Sequence, residues 1–200
     1  MMGPESVFCD RPIRPAPELR EWAVNTFIDP DGPLANEDHI HLVDADIGFL
    51  WAAAPNTRQM NSVVGEAEMP TFRCGKWQKA RQEQQIAEWF GSVPDFLITI
   101  FAPYAAACDD ASFCALIEHE LFHCGQERDE FGAPKFKMSG EPAFALRSHD
   151  VEEFVGVVAR YGIGAAAGRT ADLVRAANKG PQIAESLIHG ACGTCGRKVA

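Results

Sequence analysis

The apolar positions of the chain fall into patches whose spacing changes from one segment to the next. Between Pro17 and Ile28, the residues Leu19, Trp22, Ala23, Val24 and Phe27 recur at helical spacing and predict a first helix. From His39 to Trp51 (HIHLVDADIGFLW) apolar and polar residues first alternate, then give way to an apolar run, as in a strand entering a core. Residues 55–75 carry Pro, Asn and Gly and read as loop, with a short strand near Val63–Val64. Lys76–Phe90 predicts a polar helix with Ile86, Trp89 and Phe90 facing inward and Gly91 as its stop. Pro94 then opens the run Phe96–Phe101 (FLITIF), a buried strand. Asp109 and Asp110 are N-cap candidates for a helix over Ala111–Cys124, with Gly125 as its C-terminal stop. A long loop containing Gly132, Pro134, Gly140 and Pro142 follows. Asp150 and Glu153 then form a capping box for a helix bearing Val151, Phe154, Val155 and Val158 on one face. Ala-rich helices near 169–178 and 181–189 complete the pattern. The order is not a repeating βαβ unit, so the fold class is α+β.

Length and composition narrow this further. The chain has 200 residues, 46% apolar and 23% charged, which suits one domain with a sizeable core. The expected layout is an extended Pro-rich arm over 1–16, one domain over 17–190 and a tail over 191–200. The N-terminus has no apolar h-region and no stretch approaches the length of a membrane span, so neither secretion nor a membrane partner is expected. Seven cysteines, an odd number at irregular spacing, read as reduced cytoplasmic thiols. The formal net charge of −10 repels phosphate backbones and disfavours a general nucleic-acid binder. Six basic against two acidic residues from Val155 onward give that segment +4 and leave −14 on the remainder. Those basic residues read as solvated helix faces, with a local contact to nucleic acid or an acidic partner as the sharper alternative.

One helix carries the chemistry. Ala111–Cys124 is apolar nearly all round, which marks it as buried, yet it contains His119, Glu120 and His123 as HELFH. At about 100° per residue the two histidines project about 40° apart, towards one point, while Glu120 is offset by about 100°. Ionisable groups inside an apolar helix are costly unless something pairs with them, and a Zn²⁺ ion supplies that compensation. This is the HExxH arrangement: two imidazoles hold zinc, and the carboxylate deprotonates a zinc-bound water that attacks a polarised carbonyl. The competing explanation is a pair of structural histidines hydrogen-bonded in the core.

A catalytic zinc needs a third protein ligand. His149, in the run RSHDVEEF, lies 26 residues after His123 at the start of a predicted helix, and the intervening loop is long enough to return it to the metal. Asp150 and Glu153 could accept from its imidazole. Glu152 and Glu153 are the competing ligands. His39 and His41, expected along a strand, read as surface or structural residues. Tyr104, Arg147 and Tyr161 are the conceivable donors to a tetrahedral oxyanion. The tail pair Cys192 and Cys195 forms a CxxC without a second half, read first as an inert pair and next as part of a structural metal site.

HELFH on a buried helix, preceded by a DFLITI strand and followed by HDVEEF, resembles the phage metallopeptidases, a zincin-like group. More loosely the arrangement is similar to the SprT-like zinc proteases, whose third histidine also opens a helix. The resemblance covers residues 39–161. It implies a zincin-like fold, a small mixed sheet packed on the HExxH helix, with one catalytic zinc on His119, His123 and His149 and Glu120 as base. It also implies a zinc metalloendopeptidase acting on a protein or peptide; with the cysteine pattern, the expected location is the cytoplasm of a bacterial or phage-infected cell. The alternative is a zinc-stabilised, non-catalytic module that binds a protein or associates with DNA.

Overall fold

The apolar run Phe96–Phe101 lies inside a four-stranded sheet whose strands run, in spatial order, Ile13–Pro15, Ile47–Ala52, Phe96–Phe101 and Gly65–Glu68. The computed structural model describes residues 11–58, 60–151 and 169–181. The strands are β1 (Ile13–Pro15), β2 (Ile47–Ala52), β5 (Gly65–Glu68) and β6 (Phe96–Phe101). β2 and β6 run parallel, whereas β1 and β5 add antiparallel edges, so the sheet is mixed. Within the segment expected as an arm, Ile13–Pro15 are part of this sheet, and Ala16 is fully buried beside them.

The period-two alternation of β6 explains its two faces. Phe96, Ile98 and Ile100 point to one side, in register with Ile47 and Phe49 of β2 and with Ala67 of β5. Against this face pack Leu19 and Ala23 of α1 (Pro17–Ala23), Phe27 and Ile28 of the wider π-type turn that extends it, and Leu116, Ile117 and Leu121 of α4 (Asp110–His123). On the opposite face lies the end of α2 (Lys76–Phe90), whose Phe90 ring is so close to Gly48 that a Cβ there would come within 3.0 Å of it. Gly91 ends α2 in the left-handed region at φ 85°, where glycine has no steric penalty. A short helix, α3 (Ala102–Ala107), leads from β6 towards α4 and was not foreseen from the sequence.

Three expectations are corrected. The segment Glu37–Asp44 is a 3₁₀ helix, and the strand begins only at Ile47. Asn36 caps it by accepting from the Asp38 amide at 3.0 Å, and Glu37 and Asp38 suit its positive N-terminal end. In a 3₁₀ helix residues three apart share a face, so His39 and Leu42 are buried while Ile40 is 64% and Val43 57% exposed. Residues 55–75 hold two short strands besides β5: β3 (Asn56–Arg58) and β4 (Asn61–Val63), paired with each other. The expected long loop after Gly125 is a β-meander. β7 (Cys124–Gln126) pairs with β8 (Phe144–Leu146), and the ladder continues outward through Glu127, Lys135 and Ala143. Gly125 therefore does not stop α4 in a left-handed turn. It sits in β7, where a Cβ would meet the Ala145 carbonyl and Arg147 Cβ at 3.2 Å.

The helix expected near 169–178 is α5 (Arg169–Lys179). The expected helices over 151–158 and 181–189 lie, apart from Val151 and Pro181, outside the described residues. No described helix is long and apolar enough to cross a membrane.

Candidate metal centre

The N-terminal end of α4 is set by Asp109, whose carboxylate accepts from the Ser112 amide at 2.8 Å and the Ser112 hydroxyl at 3.0 Å. Those bonds, the amide's first, hold the Asp109 carboxyl below the usual carboxylate range. From Ala111 to His123 no residue of the helix is exposed, as its nearly continuous apolar surface requires. The histidines at its last turn point out of this packed cylinder in one direction. Nε2 of His119 and Nε2 of His123 are 3.3 Å apart.

The meander returns the third imidazole. β8 leaves the ladder beside the end of α4, where the Arg147 amide donates to the His123 carbonyl at 2.9 Å. In the reverse direction His123 Nδ1 lies 2.6 Å from the Arg147 carbonyl. A carbonyl only accepts, so the proton of a neutral His123 sits on Nδ1 and Nε2 presents a lone pair. Two residues further on, Nε2 of His149 lies 3.3 Å from Nε2 of His119. The three ring centroids are 5.0, 5.1 and 5.2 Å apart. Among the described residues these three histidines form the only group of His, Cys, Asp and Glu side chains placed to share a metal ion, with ligand atoms all within 4.8 Å of one another.

The spacing can be tested against zinc. Nitrogens bound tetrahedrally at about 2.0–2.1 Å are separated by about 3.3–3.4 Å, and the two shortest separations here are 3.3 Å. A hydrogen-bonded pair of core histidines fits less well. One Nε2–H on His119 serves one neighbouring lone pair and not both, whereas a cation serves all three imidazoles. The donor set therefore fits a divalent ion such as zinc. Cysteine does not compete here: burial pushes the Cys124 thiol up, away from the thiolate form a metal requires.

Glu120 is fully buried one residue along from His119. Its carboxylate abuts the start of β5, where a Cβ on Gly65 would lie 2.6 Å from Oε1 and 2.8 Å from Leu116 Cδ1. The edge strand thus passes close to the carboxylate only because residue 65 has no side chain. That constraint was invisible in the sequence, as was the bond from His123 to the Arg147 carbonyl. A glycine beside a strand signal is common, and a backbone acceptor has no residue signature.

The other singled-out residues lie elsewhere. His39 is completely buried between Phe122, at 4.6 Å between ring centroids, and Glu118, whose Oε1 is 3.9 Å from Nε2. Burial, then the neighbouring His41, lowers its pKa to about 4. His41 Nε2 lies 2.8 Å from the Cys124 carbonyl, tying the 3₁₀ helix to β7. The Arg147 guanidinium bonds Asp150 and lies over the Phe122 ring. Tyr104 packs against the core, and burial raises its pKa. Glu152, Glu153, Tyr161, Cys192 and Cys195 lie outside the described residues.

These features define a mixed α+β protein whose three-imidazole centre, at the end of a buried helix, could bind a metal. The chain belongs to the family described as "Putative phage metallopeptidase", whose model matches residues 20–178. That span is wider on both sides than the resemblance over 39–161, and it takes in all of α5 but Lys179. No curated protein and no solved structure matches the chain. Membership makes a metal-dependent peptidase, with protein or peptide substrates, the class of activity to which the chain is assigned.

Proposed function

We propose that the chain is a zinc metalloendopeptidase of the HExxH, zincin-like type, with His119, His123 and His149 as metal ligands and Glu120 as general base. The observation that supports this best is the convergence of three imidazoles, with Nε2 of His119 at tetrahedral-edge spacing, 3.3 Å, from Nε2 of both His123 and His149. When bound, zinc supplies Lewis acidity that activates water and polarises a peptide carbonyl. The chain does the rest. The Arg147 carbonyl fixes the His123 tautomer, and the packed end of α4 holds the first two imidazoles in place. Glu120 takes a proton on its carboxylate and returns it to the leaving amine. Residues 17–190 are read as the peptidase domain, joined by β1 of the preceding segment, with 191–200 as a CxxC-bearing tail.

A second reading draws on the complete burial of Glu120. A carboxylate sealed against Gly65 suits a zinc-stabilised binding module in which the metal folds the domain. The Glu120→Gln substitution separates the two. Zinc-loaded protein is incubated with a panel of unfolded polypeptides and the fragments are read by mass spectrometry, with zinc content measured in parallel. Cleavage by the wild type that falls about 10²–10⁴-fold in the variant, with zinc retained, is the expected result. Equal cleavage by both proteins overturns the base assignment. Stoichiometric zinc with no cleavage by the wild type favours the binding module.

A further inference from the structure

The segment that carries His149 is held at both ends. Its start is tied to α4 through the Arg147 backbone. Its end is Asp150, the residue after His149, whose two carboxylate oxygens are taken by two arginines. Arg147 Nη2 lies 2.5 Å from Oδ1, and Arg169 Nη2, in the first turn of α5, lies 2.9 Å from Oδ2. Arg147 therefore contributes twice, by its carbonyl to His123 and by its guanidinium to Asp150.

We propose that the Arg147–Asp150–Arg169 clip is the positioning device for the third metal ligand, and that α5 belongs to the metal centre through it. The proposal rests on the zinc reading above and deepens it. His149 is the one ligand outside the packed helix, so its imidazole is oriented by whatever immobilises the chain around it. A carboxylate clamped by two guanidiniums, one of them anchored beside His123, supplies that immobilisation at a distance of one residue. All three side chains are more than two-fifths exposed, at 42%, 45% and 61%. Solvated ion pairs contribute little to global stability, so the clip acts on the ligand and not on the fold.

Zinc affinity is measured on the full chain by competition with a chromophoric chelator, with the thermal midpoint of the metal-free protein as the second readout. Asp150→Ala is expected to weaken zinc binding about tenfold, the low end for outer-sphere partners of a ligand. Arg169→Ala should weaken it a few-fold and Arg169→Lys should restore most of that loss. Metal-free midpoints should stay within about 2 °C of wild type. The visible spectrum of the Co²⁺-loaded Asp150→Ala variant should change, because the geometry at His149 relaxes. Unchanged zinc affinity in both alanine variants overturns the clip, as does a loss that tracks the metal-free midpoint. His149→Ala distinguishes the two levels. If it weakens binding and Asp150→Ala does not, the clip alone fails; if the wild type binds no zinc, the metal centre fails and the clip with it.

Discussion

Two histidine environments lie side by side on α4, one wholly buried and one only partly so, and they meet the cost of sheltering an imidazole in opposite ways. Glu118 and Phe122 frame His39, a fully buried imidazole neither of whose ring nitrogens has a hydrogen-bond partner among the described residues. About 100° round the helix, His119 and His123 turn their Nε2 atoms towards each other and towards His149. His39 escapes the cost of a buried charge by staying neutral. The triad brings lone pairs together, at a cost that the proposed cation would remove. Burial of a histidine therefore says little about function, while convergence of several says much. His39 also shows what an imidazole looks like when it only fills space, which makes it the internal control for the centre.

The largest effect should come from asking both environments to bind zinc. Structural zinc sites with four ligands bind with about 10–16 kcal/mol, so one ligand accounts for roughly 3–4 kcal/mol, or a few hundredfold in affinity. His119→Ala and His149→Ala should each lose about that much by equilibrium competition, while His39→Leu should bind as wild type. Zinc binding that fell equally in His39→Leu would remove the contrast between the two environments. The next effect concerns protons. The folded pKa of His39 is lowered to about 4 from 6.5, by burial first, with His41 and Arg147 adding to the shift and Asp38 opposing it. The native state thus binds fewer protons than the unfolded one between those values. Stability is intact above the unfolded pKa and falls as pH drops from about 6.5 to about 4, by roughly 3 kcal/mol in total. Metal-free His39→Leu should flatten urea-derived stability over that window by a comparable amount. An identical slope in the two proteins would show that His39 already titrates normally in the fold.

The sequence was most legible where period and chemistry agreed. α2 with Gly91, the β6 run and α4 with its Asp109 cap were all readable, because apolar spacing and capping residues pointed the same way. The joint placement of His119 and His123 followed from the helical period alone. It failed at Glu37–Asp44, where Ile40 and Leu42 two apart mimicked a strand, although Asn36 and two acidic residues were a helix start. It failed again over 126–144, where prolines and glycines read as loop while the backbone formed a meander. That second failure matters more, since the meander is what returns His149 to α4. A third ligand could be guessed from the residue type, but its path back depends on backbone pairing with no side-chain pattern to announce it.

Gly65 offers the smallest and most local way to sharpen the comparison. On the Glu120 side of α4 the backbone of β5 presses against a fully buried ionisable side chain. A methyl at residue 65 would sit 2.6 Å from Glu120 Oε1 and 2.8 Å from Leu116 Cδ1, well inside contact distance. The φ of Gly65 is not positive, so strain in the alanine variant would come from this overlap and not from the backbone. Gly65→Ala should therefore cost about 1–3 kcal/mol in urea unfolding, the usual range for overpacking a core. Its more telling consequence is directional. Relief of the overlap moves the Glu120 carboxylate or β5, while His119 and His123, held by the end of α4 and by Arg147, stay where they are. Zinc affinity should accordingly match wild type while peptide cleavage falls. A loss of zinc affinity equal to that of cleavage would place Gly65 under the ligands themselves and erase the distinction between holding the metal and positioning the base.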